Sequence, residues 1–267
     1  MQPLAQFPAH ARHRIRWVLT DIDDTVTEAG KLPGASLSGM ERLVQAGIAV
    51  IPVTGRPAGW CDHMARMWPV AAVVGENGAF YFSYDARRRR VIRVFARSQE
   101  QRRNDRLRLN ELKKQILRAV PEAGIASDQE YRIADLAIDF CEDVAPLSAA
   151  QIETIVAMFK AAGATAKVSS IHVNGWFGSY DKITMSTRCL REVGAIDPLA
   201  DGHRVVFVGD SPNDEPMFNF FPHSIGVANI HDFSFQSPPA WVTVGRGARG
   251  FQEVVETLVS GRGDPRQ

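Results

Sequence analysis

From Ile15 onward, short runs that are almost wholly apolar alternate with segments of helical spacing, and this rhythm restricts the fold more than any other feature of the chain. A strand that is apolar at nearly every position is buried on both faces, which calls for a parallel sheet with helices on either side. The expected strands are 15–20, 48–53, 70–74, 205–208 and 224–227. The expected helices between them are 38–46, 57–68, 182–193, 212–218 and 251–259, most opening beside Ser, Pro or Asp and several closing at Gly. From Asp85 to Gly175 the rhythm breaks. A strand at 91–95, a long charged helix at 99–120, a strand at 133–140, a helix at 148–161 and strands near 166–169 and 171–173 follow one another, with an alternation of their own at Ile133, Leu136, Ile138 and Phe140. Because the parallel-sheet pattern then resumes, this stretch reads as an insertion and not as a tail. The expected fold class is α/β, with residues 1–84 and 176–267 forming a parallel-sheet core and 85–175 an inserted α+β domain.

With 267 residues, 45% of them hydrophobic, the chain is long enough to bury a core in each of two units. Its formal net charge of +1 argues against a nucleic-acid or membrane-surface partner, but the sum conceals a split. Between Asp85 and Arg118 there are thirteen Lys/Arg against four Asp/Glu, leaving eighteen against twenty-six elsewhere. An acidic core and a basic inserted half are the expectation. Cys61, Cys141 and Cys189 are widely spaced without a C-x-x-C pair, so they read as reduced thiols and not as a disulfide framework or zinc site. The basic N-terminus lacks an apolar segment and no apolar stretch is long enough to span a bilayer, so a soluble cytoplasmic protein is expected.

Carboxylates concentrate where an open α/β sheet binds ligands, just past the carboxyl ends of its strands. Residues 17–27 (WVLTDIDDTVT) deliver Asp21, Asp23 and Asp24 at such an end. Carboxylates at i and i+2 converge once the backbone turns, giving a hard-cation site that also presents a nucleophile. Taken alone, a helix N-cap or an acidic turn explains them equally well. Three further segments fall at comparable places. At 53–57 a strand ends in Thr54, Gly55 and Arg56 before Pro57 opens a helix, so Thr54 and adjoining N–H groups form a candidate phosphate-oxygen site, or an ordinary βα loop. Asp181-Lys182 precedes a helix, where Lys182 either neutralises a phosphoryl group or is a plain surface lysine. At 205–214 (VVFVGDSPND) an apolar strand leads to Asp210 and Asp214, spaced to put one carboxylate on a metal and another behind it.

Taken in order, Asp21-x-Asp23-x-Thr25, Thr54-Gly55-Arg56, Asp181-Lys182 and Gly209-Asp210-x-x-Asn213-Asp214 resemble the four motifs of the haloacid dehalogenase-like superfamily. The segment Gly75-Glu76-Asn77-Gly78-Ala79, with the long insertion between the second and third motifs, looks like the type IIB subfamily. That group carries an α/β cap at this point and includes sucrose-phosphate, trehalose-phosphate and mannosylphosphoglycerate phosphatases and eukaryotic phosphomannomutase. The resemblance implies a Rossmann-like core with an inserted cap and a Mg²⁺-dependent phosphatase acting on a small phosphorylated metabolite, first among them a sugar or sugar-acid phosphate. It implies Asp21 as the nucleophile that forms an aspartyl-phosphate, Asp23 as general acid and base, and Thr54 and Lys182 as holders of the transferring oxygens. Gly55, Arg56, Asn77 and Asn213 are the further substrate contacts it implies. Mg²⁺ would lie among Asp21, Asp23 through its carbonyl, and Asp210, with Asp214 supporting that shell. A phosphomutase using the same aspartyl-phosphate, and a sugar-phosphate binding protein without turnover, are the alternatives. Two departures stand out: Ser211-Pro212 within the last motif and Ile183 after the lysine, neither of which removes a group the chemistry needs.

Weaker signals remain open. The arginines at 87–90, 93, 97, 102, 103, 106 and 108 read as a solvated basic helix, a contact in a homodimer, or a cap face that attracts anionic substrate, in preference to a nucleic-acid site. A monomer or homodimer is expected. Trp60, Met64, Met67 and Trp68 have core spacing, although Trp60 could edge the pocket. Residues 172–182 read either as a hinge, with Gly175 and Gly178 absorbing rotation and Asn174, Trp176 or Tyr180 near the leaving group, or as a plain turn. His172 reads as structural, and Glu76 and Asn77 either face the leaving group or form a turn.

Overall fold

The computed structural model describes residues 1–169, 171–260 and 262. In chain order the core supplies β1 (Trp17–Thr20), α1 (Gly34–Gln45), β2 (Ala49–Pro52), α2 (Ala58–Met67) and β3 (Val73–Gly75). A ribbon of β4 (Phe80–Asp85) and β5 (Arg90–Phe95) follows. Then come α3 (Gln99–Ala119), β6 (Asp135–Asp139), α4 (Ala149–Ala161), β7 (Thr165–Val168) and β8 (His172–Trp176). The core returns with α5 (Lys182–Gly194), β9 (Val205–Gly209), α6 (Glu215–Phe220), β10 (His223–Gly226) and α7 (Gly247–Val259).

The strands β2, β1, β9 and β10 lie side by side, all parallel, and two-residue pairings at Trp241–Val242 and Gln2–Pro3 extend the far edge. Alternate strand residues feed opposite faces, as the continuous apolar runs require. Val18, Val206 and Val208 pack with Phe251, Val254, Val255 and Leu258 of α7 on one side. Leu19, Ile51 and Phe207 pack with Met185, Leu190 and Phe218 on the other. The four α7 residues recur at i, i+3, i+4 and i+7, and each fully buried side chain contributes about 1.5–3 kcal/mol.

Past β2, a single parallel bridge from Val53 to Val74 hands the sheet to the antiparallel β3–β4–β5. Phe80, Phe82 and Phe95 pack together and join the core. Residues 90–95, beyond the expected boundary at 85, therefore pair with the core side of the chain. A second sheet is antiparallel, in the order Gly124–Ile125, β6, β8, β7. Its helices each start with a capping box, Ser98 with Gln101 and Ser148 with Gln151. They cover one face, where Leu109, Leu112, Ile116, Ile155 and Phe159 meet Leu136, Ile138 and Val173. The other face, carrying His172, Asn174 and Trp176, turns toward the core.

The strand expected to end at 173 runs to Trp176, which corrects the reading of Gly175 as a hinge. Gly175 sits inside β8, and a Cβ there would lie 2.0 Å from Cε1 of Phe159. Gly175→Ala is expected to cost about 1–3 kcal/mol through this overlap. Urea unfolding checks it, and an unchanged midpoint would show that Phe159 has room to move. Gly178, with φ at +118°, takes the left-handed turn that follows. No helix among the described residues is long and apolar enough to cross a membrane.

Candidate active site

The chain leaves β1 for β2 on one side and β9 for β10 on the other, so the loops after β1 and β9 part and open a crevice at the strands' carboxyl ends. Thr20 pairs with Val208, which brings the next residues, Asp21 and the Gly209-Asp210 pair, together. Asp21, Asp210 and Asp214 each offer a carboxylate oxygen within 4.8 Å of the others, and all three are buried. Glycine at 209 is required by this approach: a Cβ would stand 2.5 Å from Oδ2 of Asp214. That Oδ2 accepts the Asp210 N–H at 3.2 Å. Thr25 donates its hydroxyl to Oδ1 of Asp210 at 3.2 Å. Lys182, the first residue of α5, donates to Oδ1 of Asp21 at 2.7 Å, to Oδ1 of Asp214 at 2.8 Å and to Oδ1 of Asn213 at 3.3 Å. Asp181 places it by capping the helix, accepting the Thr184 N–H at 2.7 Å.

Three buried carboxylates thus face one ammonium. Burial pushes the Asp21 carboxyl up to about 7 against the lowering pull of Lys182, and Asp214 adds to the rise. Burial, then repulsion from Asp214 and Asp21, pushes Asp210 up to about 9. Burial would lower the Lys182 ammonium, but Asp21 and Asp214 hold it above the ordinary lysine value. The group is short of positive charge. Hard oxygen donors in a buried, under-neutralised cluster fit a divalent cation such as Mg²⁺, which would remove the repulsion that raises both carboxyls.

A cavity of about 460 Å³ opens above, bordered by Asp21, Asp23, Asp210, Gly55, Arg56, Asn77 and Asn213 from the core. A second, of about 290 Å³, has Lys182 and Trp176 in its wall and shares Asn77, Lys167 and Asn213 with the first. Thr54 borders neither; its buried hydroxyl accepts the Arg56 N–H at 3.0 Å within its own loop. Arg56, expected as a substrate contact, borders the larger cavity and also grips Asp23, with Nε 2.9 Å from Oδ2 and Nη2 2.8 Å from Oδ1. The Asp23 carboxylate consequently stands outside the three-carboxylate group. Trp60 edges Arg56 by stacking under its guanidinium, 4.6 Å from ring centroid to Cζ.

Glu76 borders neither cavity. It is fully buried and accepts N–H bonds from Ala58, Ile133, Ala134 and Asp135, tying the start of α2 to the segment entering β6. Burial, and then Asp135, pushes its carboxyl up to about 7. The inserted unit also brings Arg132, Glu142, Lys167, His172 and Asn174 to the larger cavity, none of which the motifs marked. One signal was present for β8: polar His172 and Asn174 alternate with Val173 and Gly175, a two-faced strand with a polar side to present. His172 places Nε2 2.8 Å from Oε2 of Glu142. The arginines between 87 and 108 border neither cavity. Arg93 pairs with Asp62, Arg97 with Asp105, and Arg102 and Arg108 lie over Phe95 and Phe177.

No protein-family model matches the sequence, and no curated protein matches it. Solved structures do. A Thermoplasma acidophilum protein superimposes with a TM-score of 0.68 at 16% identity, over 91% of this chain and 98% of that one. A haloacid dehalogenase-like hydrolase from Bacteroides thetaiotaomicron gives 0.65 at 13%, over 91% and 99%. The sucrose-phosphatase of Synechocystis, solved with sucrose and phosphate, gives 0.62 at 15%, over 91% and 97%. The chain thus has the fold of haloacid dehalogenase-like phosphatases, a Rossmann-like α/β core with an inserted α+β cap.

Proposed function

We propose that the chain is a Mg²⁺-dependent phosphatase that hydrolyses a small phosphomonoester through an aspartyl-phosphate on Asp21. The observation that carries this is the buried trio of Asp21, Asp210 and Asp214 at the carboxyl ends of β1 and β9, with the Lys182 ammonium 2.7 Å from Asp21. An Oδ of Asp21 attacks phosphorus in line while the bond to the leaving oxygen breaks, and Asp23 donates the proton that oxygen needs. Asp23 then takes a proton from water as the water oxygen bonds to phosphorus and the bond to Asp21 breaks. Lys182 holds one phosphoryl oxygen, and Asn213 and Asp214 keep the ammonium in place. Asp21, Asp210 and the Asp23 carbonyl would hold Mg²⁺, with Asp214 behind them. When bound, the ion supplies neutralisation of the charge on the phosphoryl oxygens.

A cavity of about 460 Å³ suits a metabolite-sized leaving group, and likeness to a sucrose-phosphatase supports a sugar phosphate. The cap of such an enzyme starts after β5, since that strand pairs with β4, and ends with β8. Phosphate release from a panel of phosphorylated sugars and sugar acids, with Mg²⁺ and in ¹⁸O-water, tests the reading. One solvent-derived oxygen in each phosphate is expected. Transfer of the phosphoryl group to a second sugar hydroxyl, without solvent oxygen, would establish a mutase instead.

A further inference from the structure

A ladder of alternating charge runs from the inserted unit to the site. Arg132, in the segment leading into β6, is only 2% exposed. Its Nε and Nη2 donate to the two oxygens of Asp128 at 2.8 and 3.0 Å, and its Nη1 donates to Asp135 at 3.1 Å. The same Nη1 donates to the Gly55 carbonyl at 3.0 Å, on the residue just before Arg56. Oδ2 of Asp128 lies 3.9 Å from Nη1 of Arg56, whose other nitrogens grip Asp23. The peptide on the far side of Arg56 is fixed as well, its carbonyl accepting the Glu76 N–H at 3.2 Å.

We infer that Arg132 and Asp128 are positioning residues for Asp23: they hold Arg56 by its backbone and by its counter-ion, and Arg56 orients the Asp23 carboxylate toward the leaving oxygen. This rests on the phosphatase reading above. A guanidinium recognises a carboxylate through a rigid two-pronged fork, so rotation of Arg56 rotates Asp23 with it. A buried ion network costs desolvation that apolar packing avoids, so stapling the inserted unit to the core does not by itself require one. Aimed at the loop that carries Arg56, it makes the reach of the acid depend on residues that touch neither phosphate nor metal. Misplacement of a reacting group by about 1 Å costs on the order of 10²-fold in rate.

The test uses two esters of similar size: phenyl phosphate, whose leaving oxygen needs a proton, and p-nitrophenyl phosphate, whose phenolate leaves without one. kcat/KM is measured with Mg²⁺ for the native chain, Asp23→Asn, Asp128→Asn and Arg132→Lys, each shown folded by its melting curve. This ratio covers steps up to departure of the leaving group, so later water attack does not enter. Asp23→Asn is expected to lose on the order of 10²–10⁴-fold on phenyl phosphate and far less on the nitro ester. Asp128→Asn and Arg132→Lys are expected to show the same selectivity, on the order of 10²-fold against less than about tenfold. Equal losses on both esters, or none, would overturn the positioning role while the phosphatase reading stands. Phosphate release from neither ester and from no member of the sugar-phosphate panel would overturn that reading, and an Asp23→Asn loss without selectivity would overturn the acid role of Asp23; the inference falls in either case. Asp128→Asn preserves shape and carries the test alone if Arg132→Lys does not fold.

Discussion

Asp21→Asn is expected to lower kcat/KM on every substrate by on the order of 10⁴-fold or more while leaving the protein folded. The amide that replaces the carboxylate is not a nucleophile toward phosphorus. Its neighbours keep their arrangement: Lys182 retains Asp214 at 2.8 Å and Asn213 at 3.3 Å. The substitution also removes one of three mutually repelling carboxylates, so the melting temperature without metal should hold or rise. Lys182→Met is the informative contrast. It takes the ammonium away from Asp21 and Asp214, leaving buried charge unpaired, and should lower activity and stability together. Phosphate release and thermal melting, measured on both variants, separate the two cases. Turnover retained by Asp21→Asn would remove Asp21 as the nucleophile.

What the sequence disclosed follows from what each local pattern encodes. Strands β1 and β9 are buried on both faces, so they read as unbroken apolar runs, and the carboxylates at their ends were visible as departures from that run. The convergence of Asp21 with Asp210 needed only the assumption that the two strands are adjacent, which the parallel pattern supplied. The site's other half was not legible. Arg132 is a single polar residue in a segment without a motif, and its approach to Gly55 and to the cavity depends on how the insertion folds back on the core, whereas Asn174, read as near the leaving group, does border the cavity. Arg56 shows the same limit. Its place in a loop beside Thr54 marked it as near the phosphate, but its partner, Asp23, is set by side-chain geometry. Gly175 was misread because a flexible residue in a loop and a small residue in a crowded strand look alike until Phe159 is seen against it.

Chelation is expected to abolish turnover and also to expose a pH dependence of stability that Mg²⁺ suppresses. Asp21 at about 7 and Asp210 at about 9 both lie above the ordinary value of 3.8, so the folded chain keeps protons that the unfolded chain has released. Their favourable state is therefore fully present below about pH 4 and is lost as pH rises through 7 and then 9. Glu76, also pushed up to about 7, adds a fall of the same sign between its ordinary 4.5 and pH 7. A divalent cation binds the ionised carboxylates of the trio and competes with their protons, so its stabilisation should grow with pH, reaching about 2.7 kcal/mol where Mg²⁺ exceeds its Kd a hundredfold. Glu76 touches only backbone N–H groups and lies outside the trio, so its part of the slope should persist with the metal present. Melting temperatures from pH 5 to 9, with EDTA and with Mg²⁺, read both effects. Curves that coincide would show that Asp21, Asp210 and Asp214 hold no ion, whereas curves that diverge only above about pH 6 would tie the metal to the carboxyls that burial keeps protonated.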